Sequence, residues 1–95
     1  MHIISRKRLK DFWEVHPQAE SPLSAWYQAA KAATWKSFDD VRETFRSADQ
    51  VGDAIVFNIG GNKYRLIVKA EYKFGRLYLR EVLTHADYSK LNLKG

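Results

Sequence analysis

The chain has 95 residues, 45% of them hydrophobic, a formal net charge of +5 and no cysteine. That length supports one compact core, so a single domain over 1–95 is expected, and the missing cysteines exclude disulfide frameworks, thiolate zinc sites and cysteine nucleophiles. The opening "MHIISRKRLKDFWEVHPQ" has no apolar h-region and no later stretch approaches the ~20 apolar residues of a membrane span, so a cytoplasmic protein without membrane contact is expected.

The first element is a short β-prone run, "HIIS". Ser5 after it is placed to cap a helix in which Leu9, Phe12 and Trp13 recur at helical spacing and which stops before Pro17. In "SPLSAWYQAAKAA", Ser21 reads as a second N-cap with Pro22 at the first helical position, and Leu23, Trp26, Tyr27 and Ala30 form one apolar face. Ser37 and Asp40 resemble a capping box for a shorter third helix carrying Phe38, Val41 and Phe45. Trp13, Trp26 and Trp35 are assigned to packing.

After "SADQVGD" the pattern changes. "AIVFNI", "GGN" and "KYRLIVKAEY" read as a hairpin, with the glycines and asparagine available for the positive φ of a tight turn, and "RLYLREVL" follows a turn at "KFG". The expected fold class is α+β, with N-terminal helices on one face of a mainly antiparallel sheet and a parallel contribution from the opening strand. Strict alternation puts Tyr64, Leu66 and Val68 on one face against Arg65, Ile67 and Lys69. It also puts Leu77, Leu79, Glu81 and Leu83 against Arg76, Tyr78, Arg80 and Val82. Arg65, Lys69, Tyr78 and Arg80 then share an exposed basic surface, if the strand register brings them together.

Charge is distributed unevenly. Residues 1–59 hold eight Lys or Arg and eight Asp or Glu, whereas 60–95 hold eight basic residues and three acidic ones. A polyanion suits such a segment, although the same cations also solubilise an exposed sheet face. The run Arg6 to Lys10 reads either as a solvated helix face or as a contact for nucleic acid or an acidic partner.

His2, His16 and His85 are scattered without a carboxylate cluster, so no metal site and no cofactor are expected. "IGGNKY" lacks the phosphate-loop spacing and precedes a strand, and there is no GxSxG nucleophile motif. Cations, one histidine and tyrosines remain, a combination that suits metal-independent RNA cleavage. The 2′-hydroxyl attacks its own 3′-phosphate, cations stabilise the charge, and an acid protonates the departing 5′-oxygen. Histidine is the side chain type suited to moving protons near neutral pH, so His85 is a candidate acid or base, although it can also simply cap the turn that follows. Tyr88, three residues on, can stack on a base or pack on the core. A non-catalytic RNA binder, or a regulatory protein meeting an acidic partner through the same basic sheet, fits these residues as well.

The segments "IISRKRLKDFWEVHP", "PLSAWY", "RSADQVG", "VFNIGGNKYRLIVK" and "THADYSK" resemble the HigB toxins, a branch of the RelE-like superfamily of bacterial toxin–antitoxin pairs. The resemblance covers nearly the whole chain; Ser89 departs from it, standing where the family pattern has an acidic residue. It implies ribosome-dependent mRNA cleavage and a cognate HigA-type helix-turn-helix antitoxin, with operator DNA met only through the antitoxin complex. It also implies a site of basic residues on the open sheet face with a histidine or tyrosine near the C-terminus. The matching positions are Arg65, Arg80, His85, Tyr88 and Lys90 as catalytic candidates, with Lys63 and Lys69 as contacts to RNA.

Overall fold

The computed structural model describes residues 1–91; residues 92–95 of the expected 1–95 unit lie outside the described residues. Strand β1 (His2–Ile4) leads into helix α1 (Lys7–Val15). A 3-10 turn (Pro17–Ala19) follows, then α2 (Glu20–Ala32) and α3 (Phe38–Thr44). Strands β2 (Asp49–Val51), β3 (Ala54–Ile59), β4 (Tyr64–Glu71) and β5 (Arg76–Thr84) come next, and α4 (His85–Ser89) closes the described chain. The sheet order is β1-β5-β4-β3-β2, antiparallel except for the parallel β1–β5 pair. The α+β class and the parallel contribution of the opening strand are as expected.

The core lies between one sheet face and the helices. Ile55, Phe57, Ile59, Tyr64, Leu66, Val68, Leu77 and Leu79 meet Leu9, Leu23, Trp26, Ala30, Trp35 and Val41 in one cluster. Phe57 is its centre, with ring centroids 5.3 Å from Trp26, 5.3 Å from Phe45 and 6.3 Å from Trp35. Burying each such side chain contributes about 1.5–3 kcal/mol. The tryptophans therefore serve packing, as the helical spacing of Trp13 and Trp26 indicates; Trp35, between α2 and α3, also donates from Nε1 to Thr44 Oγ1 at 3.1 Å.

Local details differ from the expectations in four places. Neither serine caps its helix. Arg6 is the N-cap of α1, while Ser5 takes a left-handed φ of 72° and its carbonyl accepts the Arg8 N–H at 3.0 Å. Helix α2 begins at Glu20, ahead of Ser21 and Pro22, because the 3-10 turn at Pro17 runs directly into it. The expected cap of α3 does form, with the Asp40 N–H donating to Ser37 Oγ at 3.4 Å. The third difference is strand β2, which lies within "SADQVGD", a stretch to which the sequence pattern assigns no element; its three residues are too few for alternation to register.

The fourth difference moves residues between faces. Val68 pairs with Leu79 and Ile67 with Glu81, so Arg80 is an extra residue in a β-bulge. The phase of β5 reverses there. Val82 opposes core residue Leu66, whereas Leu83 opposes Arg65 and Glu81 opposes Ile67, the reverse of simple alternation. Lys69 and Tyr78 do stand opposite each other as the basic-surface expectation requires.

Candidate active site

The sheet face turned away from the main core carries Asn58 opposite Arg65 and Val56 opposite Ile67. A cavity of about 430 Å³ opens above it, walled by Arg42, Arg46, Ser47, Ala48 and Asp49 on one side and by Arg65 and Tyr88 on the other. Three arginines against one aspartate make its lining cationic. Arg42 Nη2 donates to the Arg46 carbonyl at 3.2 Å, which ties the end of α3 to the segment leading into β2.

Arg65 is the best-held of these groups. Alternation makes it a face-exposed residue, but it is only 9% exposed and is the single charged residue buried among those described. Its Nη1 donates to the carbonyls of Asn62 (3.3 Å) and Tyr64 (3.1 Å), and its Nη2 donates to Asn62 Oδ1 at 2.6 Å. All three acceptors are neutral, and among the described residues no carboxylate lies within salt-bridge distance of it. The guanidinium has five N–H donors, so this clasp fixes its plane while leaving charge and donors for an anion.

The clasp is a product of the β3–β4 turn. Gly60 and Gly61 supply the positive φ values, 65° and 73°, and a Cβ on Gly60 would come within 3.4 Å of the Tyr64 ring. Asn62 is not needed for positive φ; its side chain serves as the acceptor for Arg65 instead.

The second wall comes from α4. Thr84 caps this helix, its Oγ1 accepting the Asp87 N–H at 3.1 Å, and the backbone N–H of His85 donates to the Lys63 carbonyl at 2.8 Å. These bonds explain "THADY" locally: Thr84 starts the helix, Asp87 lies favourably in its first turn, and His85 pins it to the β3–β4 turn. Tyr88 is thereby brought half-buried over Arg65, with the guanidinium carbon 5.7 Å from the ring centroid.

The remaining expected residues sit at varying distance from this centre. His85 is exposed and its Nδ1 lies 3.3 Å from Ser89 Oγ, which also donates to the His85 carbonyl at 2.9 Å. Lys90, at the C-cap of α4, and Lys63, in the turn, are exposed. Arg80 is exposed at the bulge, and Lys69 is engaged with Asp53 at 3.7 Å, an exposed pair of small energetic weight. None of these five lines the cavity, so the structure joins Arg65 with Tyr88 and sets the others around them.

Arg42, Arg46, Asn58 and Asn62 belong to the site without having been singled out in the sequence. Arg42 and Arg46 lie in the part of the chain where charges cancel in number. Their spacing of four, at the end of a helix and just before "SADQ", was the available signal. Among the described residues no group of three or more His, Asp or Glu side chains gathers to hold a metal ion.

A mostly antiparallel open sheet backed by helices is the fold class of a RelE-like toxin, and residues 19–91 match the HigB toxin family, described as the RelE-like toxic component of a toxin–antitoxin system. The chain belongs to that family. It is 33% identical over 91 residues to the mRNA interferase toxin HigB of Escherichia coli (strain K12), covering 93% of this chain and 88% of that protein. The mRNA interferase HigB of Shigella flexneri matches equally, and that of Escherichia coli O6:H1 is 26% identical over 94 residues, covering 96% of this chain and 91% of its own.

Proposed function

We propose that this toxin is an endoribonuclease that cleaves mRNA on the translating ribosome, and that the Arg65–Tyr88 cavity is where the strand is cut. The observation that carries the reading is the neutral clasp around Arg65: a buried guanidinium held in place with its charge uncompensated is preorganised for a phosphate that gains negative charge during reaction. The curated relatives, named as mRNA interferases, supply the substrate class.

The reaction follows from these groups. The ribose 2′-oxygen bonds to the adjacent phosphorus as its proton passes to a base, and the bond from phosphorus to the 5′-oxygen breaks as that oxygen takes a proton. The products are a 2′,3′-cyclic phosphate and a 5′-hydroxyl. Arg65 stabilises the charge on phosphorus, and Tyr88 stacks on a neighbouring base. Arg42 and Arg46 draw in the strand, while Arg80 and Lys90 contact flanking phosphates. His85 moves the proton, reaching the strand from the rim of the cavity. Lys63 and Lys69 meet RNA outside it. No metal enters this scheme because the guanidinium supplies the positive charge.

As the toxic component of a toxin–antitoxin system, the protein has an antitoxin. We assign it a HigA-type partner with a helix-turn-helix domain, through which operator DNA is met, and a cytoplasmic place of action on the ribosome. No helix among the described residues is long and apolar enough to cross a membrane. Induced expression with and without the neighbouring antitoxin gene, followed by mapping of transcript ends, tests the whole reading. New 5′-hydroxyl ends within translated frames, suppressed by the antitoxin, are expected. Normal growth and unchanged ends at full toxin accumulation overturn it.

A further inference from the structure

The β4–β5 turn presents an unusual surface residue. Phe74 is 59% exposed, and two cations lie over its ring: Arg76 Cζ 5.2 Å from the ring centroid and Lys73 Nζ 5.7 Å. The turn is firmly built. Gly75 adopts the left-handed φ of 64° that closes it, donates its N–H to the Tyr72 carbonyl at 3.2 Å, and accepts the His2 N–H at 2.7 Å. Strand β1 therefore buttresses the tip, and Phe74 stands on a fixed base.

This tip is remote from the candidate active site. Arg65 is the second residue of β4 and the turn follows the strand's other end at Glu71, a span of roughly 20 Å at ~3.3 Å per residue. Nor are its cations spent on carboxylates. Arg76 stands opposite Glu71 in register, but Glu71 Oε1 accepts the Tyr78 hydroxyl at 2.7 Å, and among the described residues no carboxylate forms a salt bridge with Lys73 or Arg76.

An exposed aromatic ring beside two cations that no carboxylate among the described residues neutralises matches the chemistry of an unpaired nucleotide: the base stacks on the ring and its neighbouring phosphates meet the cations. We propose that Phe74, Lys73 and Arg76 form a second RNA-binding site that takes an unpaired base of ribosomal RNA. This rests on the ribosome-directed reading above. Ribosomal RNA is the source because a substrate strand running from the cavity to the tip along this hairpin would pass the carboxylates of Glu81, opposite Ile67, and of Glu71, opposite Arg76. The two sites thus grip separate segments, and the tip sets how the cavity is aimed at the message.

The test measures binding of the free toxin to ribosomes carrying no mRNA. Wild type is compared with Phe74→Ala, Phe74→Leu and Phe74→Trp, each checked for an unchanged melting temperature. Alanine and leucine are expected to weaken binding roughly tenfold, the scale of one base–aromatic stack, while tryptophan retains it. Wild-type affinity for a short single-stranded RNA carrying the cleavage sequence should be unaffected by all three. Three results overturn the proposal: Phe74→Ala binding empty ribosomes like wild type, Phe74→Leu doing so, or a loss seen only with the short RNA. Failure of the wild-type toxin itself to bind ribosomes removes the ribosome-directed reading, and this site with it.

Discussion

The guanidinium carbon of Arg65 lies 5.7 Å from the centroid of the Tyr88 ring, which couples strand β4 to helix α4 across the mouth of the cavity. A cation over an aromatic face contributes about 0.5–1 kcal/mol at exposed sites and more when water is excluded. Arg65 thus has two kinds of restraint: hydrogen bonds in its own plane and an aromatic ring near its face. Both restrict its motion, and neither cancels its charge.

Replacing Arg65 by alanine should reduce single-turnover cleavage by roughly 10²- to 10³-fold, the scale for loss of one preorganised donor at a developing anion. Because this side chain is buried and bonded, stability should fall as well, by about 1–3 kcal/mol for the acceptors left unpaired. Lysine at this position keeps the charge but cannot span Asn62 and Tyr64, so it should recover little activity. Cleavage on programmed ribosomes, measured beside thermal unfolding, checks both effects; wild-type rates in a destabilised Arg65→Ala protein would make the residue purely structural.

Asn62→Asp should separate stability from activity. An aspartate retains the acceptor that takes the Arg65 bond at 2.6 Å and converts it to a charge-assisted one, so the fold should be as stable or more so. The same carboxylate offsets the guanidinium charge, and cleavage should fall at least tenfold. Unfolding by urea and cleavage rates on the same preparations give the two signs.

His85 and Thr84 adjoin one another but are assigned different work. Thr84→Ala removes the cap of α4 and should cost about 1 kcal/mol, with serine restoring it. His85→Ala keeps the backbone bond to Lys63, so a proton-transfer role should appear as a slowed, pH-flattened cleavage profile with little change in melting temperature. A stability loss with an unaltered profile would assign His85 to the turn alone.

Arg42 and Arg46 should behave as strand-gathering charges. Each alanine variant should lower the slope of log K against log salt for RNA binding by about 0.7–0.9, weakening binding broadly across sequences. Titration at several salt concentrations measures this; unchanged slopes would leave the two residues outside the RNA path.

An alkaline limit to stability is expected from Tyr72. Burial, with the Asp40 charge adding to it, raises its pKa above the ordinary value of 10.0. The folded state therefore keeps the phenol neutral where the unfolded chain has begun to ionise. That contribution is complete below pH 10 and is lost as pH rises through the folded-state value. Tyr72→Phe should remove this part of the high-pH decline, as followed by chemical denaturation between pH 9 and about 11.

Much of the architecture was legible because it depends on short-range signals. Helical spacing of Leu9, Phe12 and Trp13, the Ser37 cap and the paired glycines before β4 each act within a few residues. The bulge at Arg80 was not legible, since an inserted residue changes phase without changing composition, and it returned Val82 to the core face. The same limit applied to the site. Arg65 and Tyr88 stand out by residue type and by likeness to a family, but Arg42 and Arg46 reach the cavity only through the packing of α3 against the sheet. Asn62 looked like a turn former because its side-chain bond to Arg65 is invisible until the turn closes.

The parallel pairing of β1 with β5 also has a bearing on how the cell makes such a protein. His2 must find Arg76 and Ile4 must find Tyr78, so the first strand emerges long before its neighbour exists. A chain still threaded in the ribosomal exit tunnel at that point has neither a closed sheet nor the Tyr88 wall of its cavity. Long-range closure of this kind comes late in folding. The fold thereby delays both the closed sheet and the Tyr88 wall until β5 and α4 have been synthesised, so the candidate site is the last part of the molecule to be assembled.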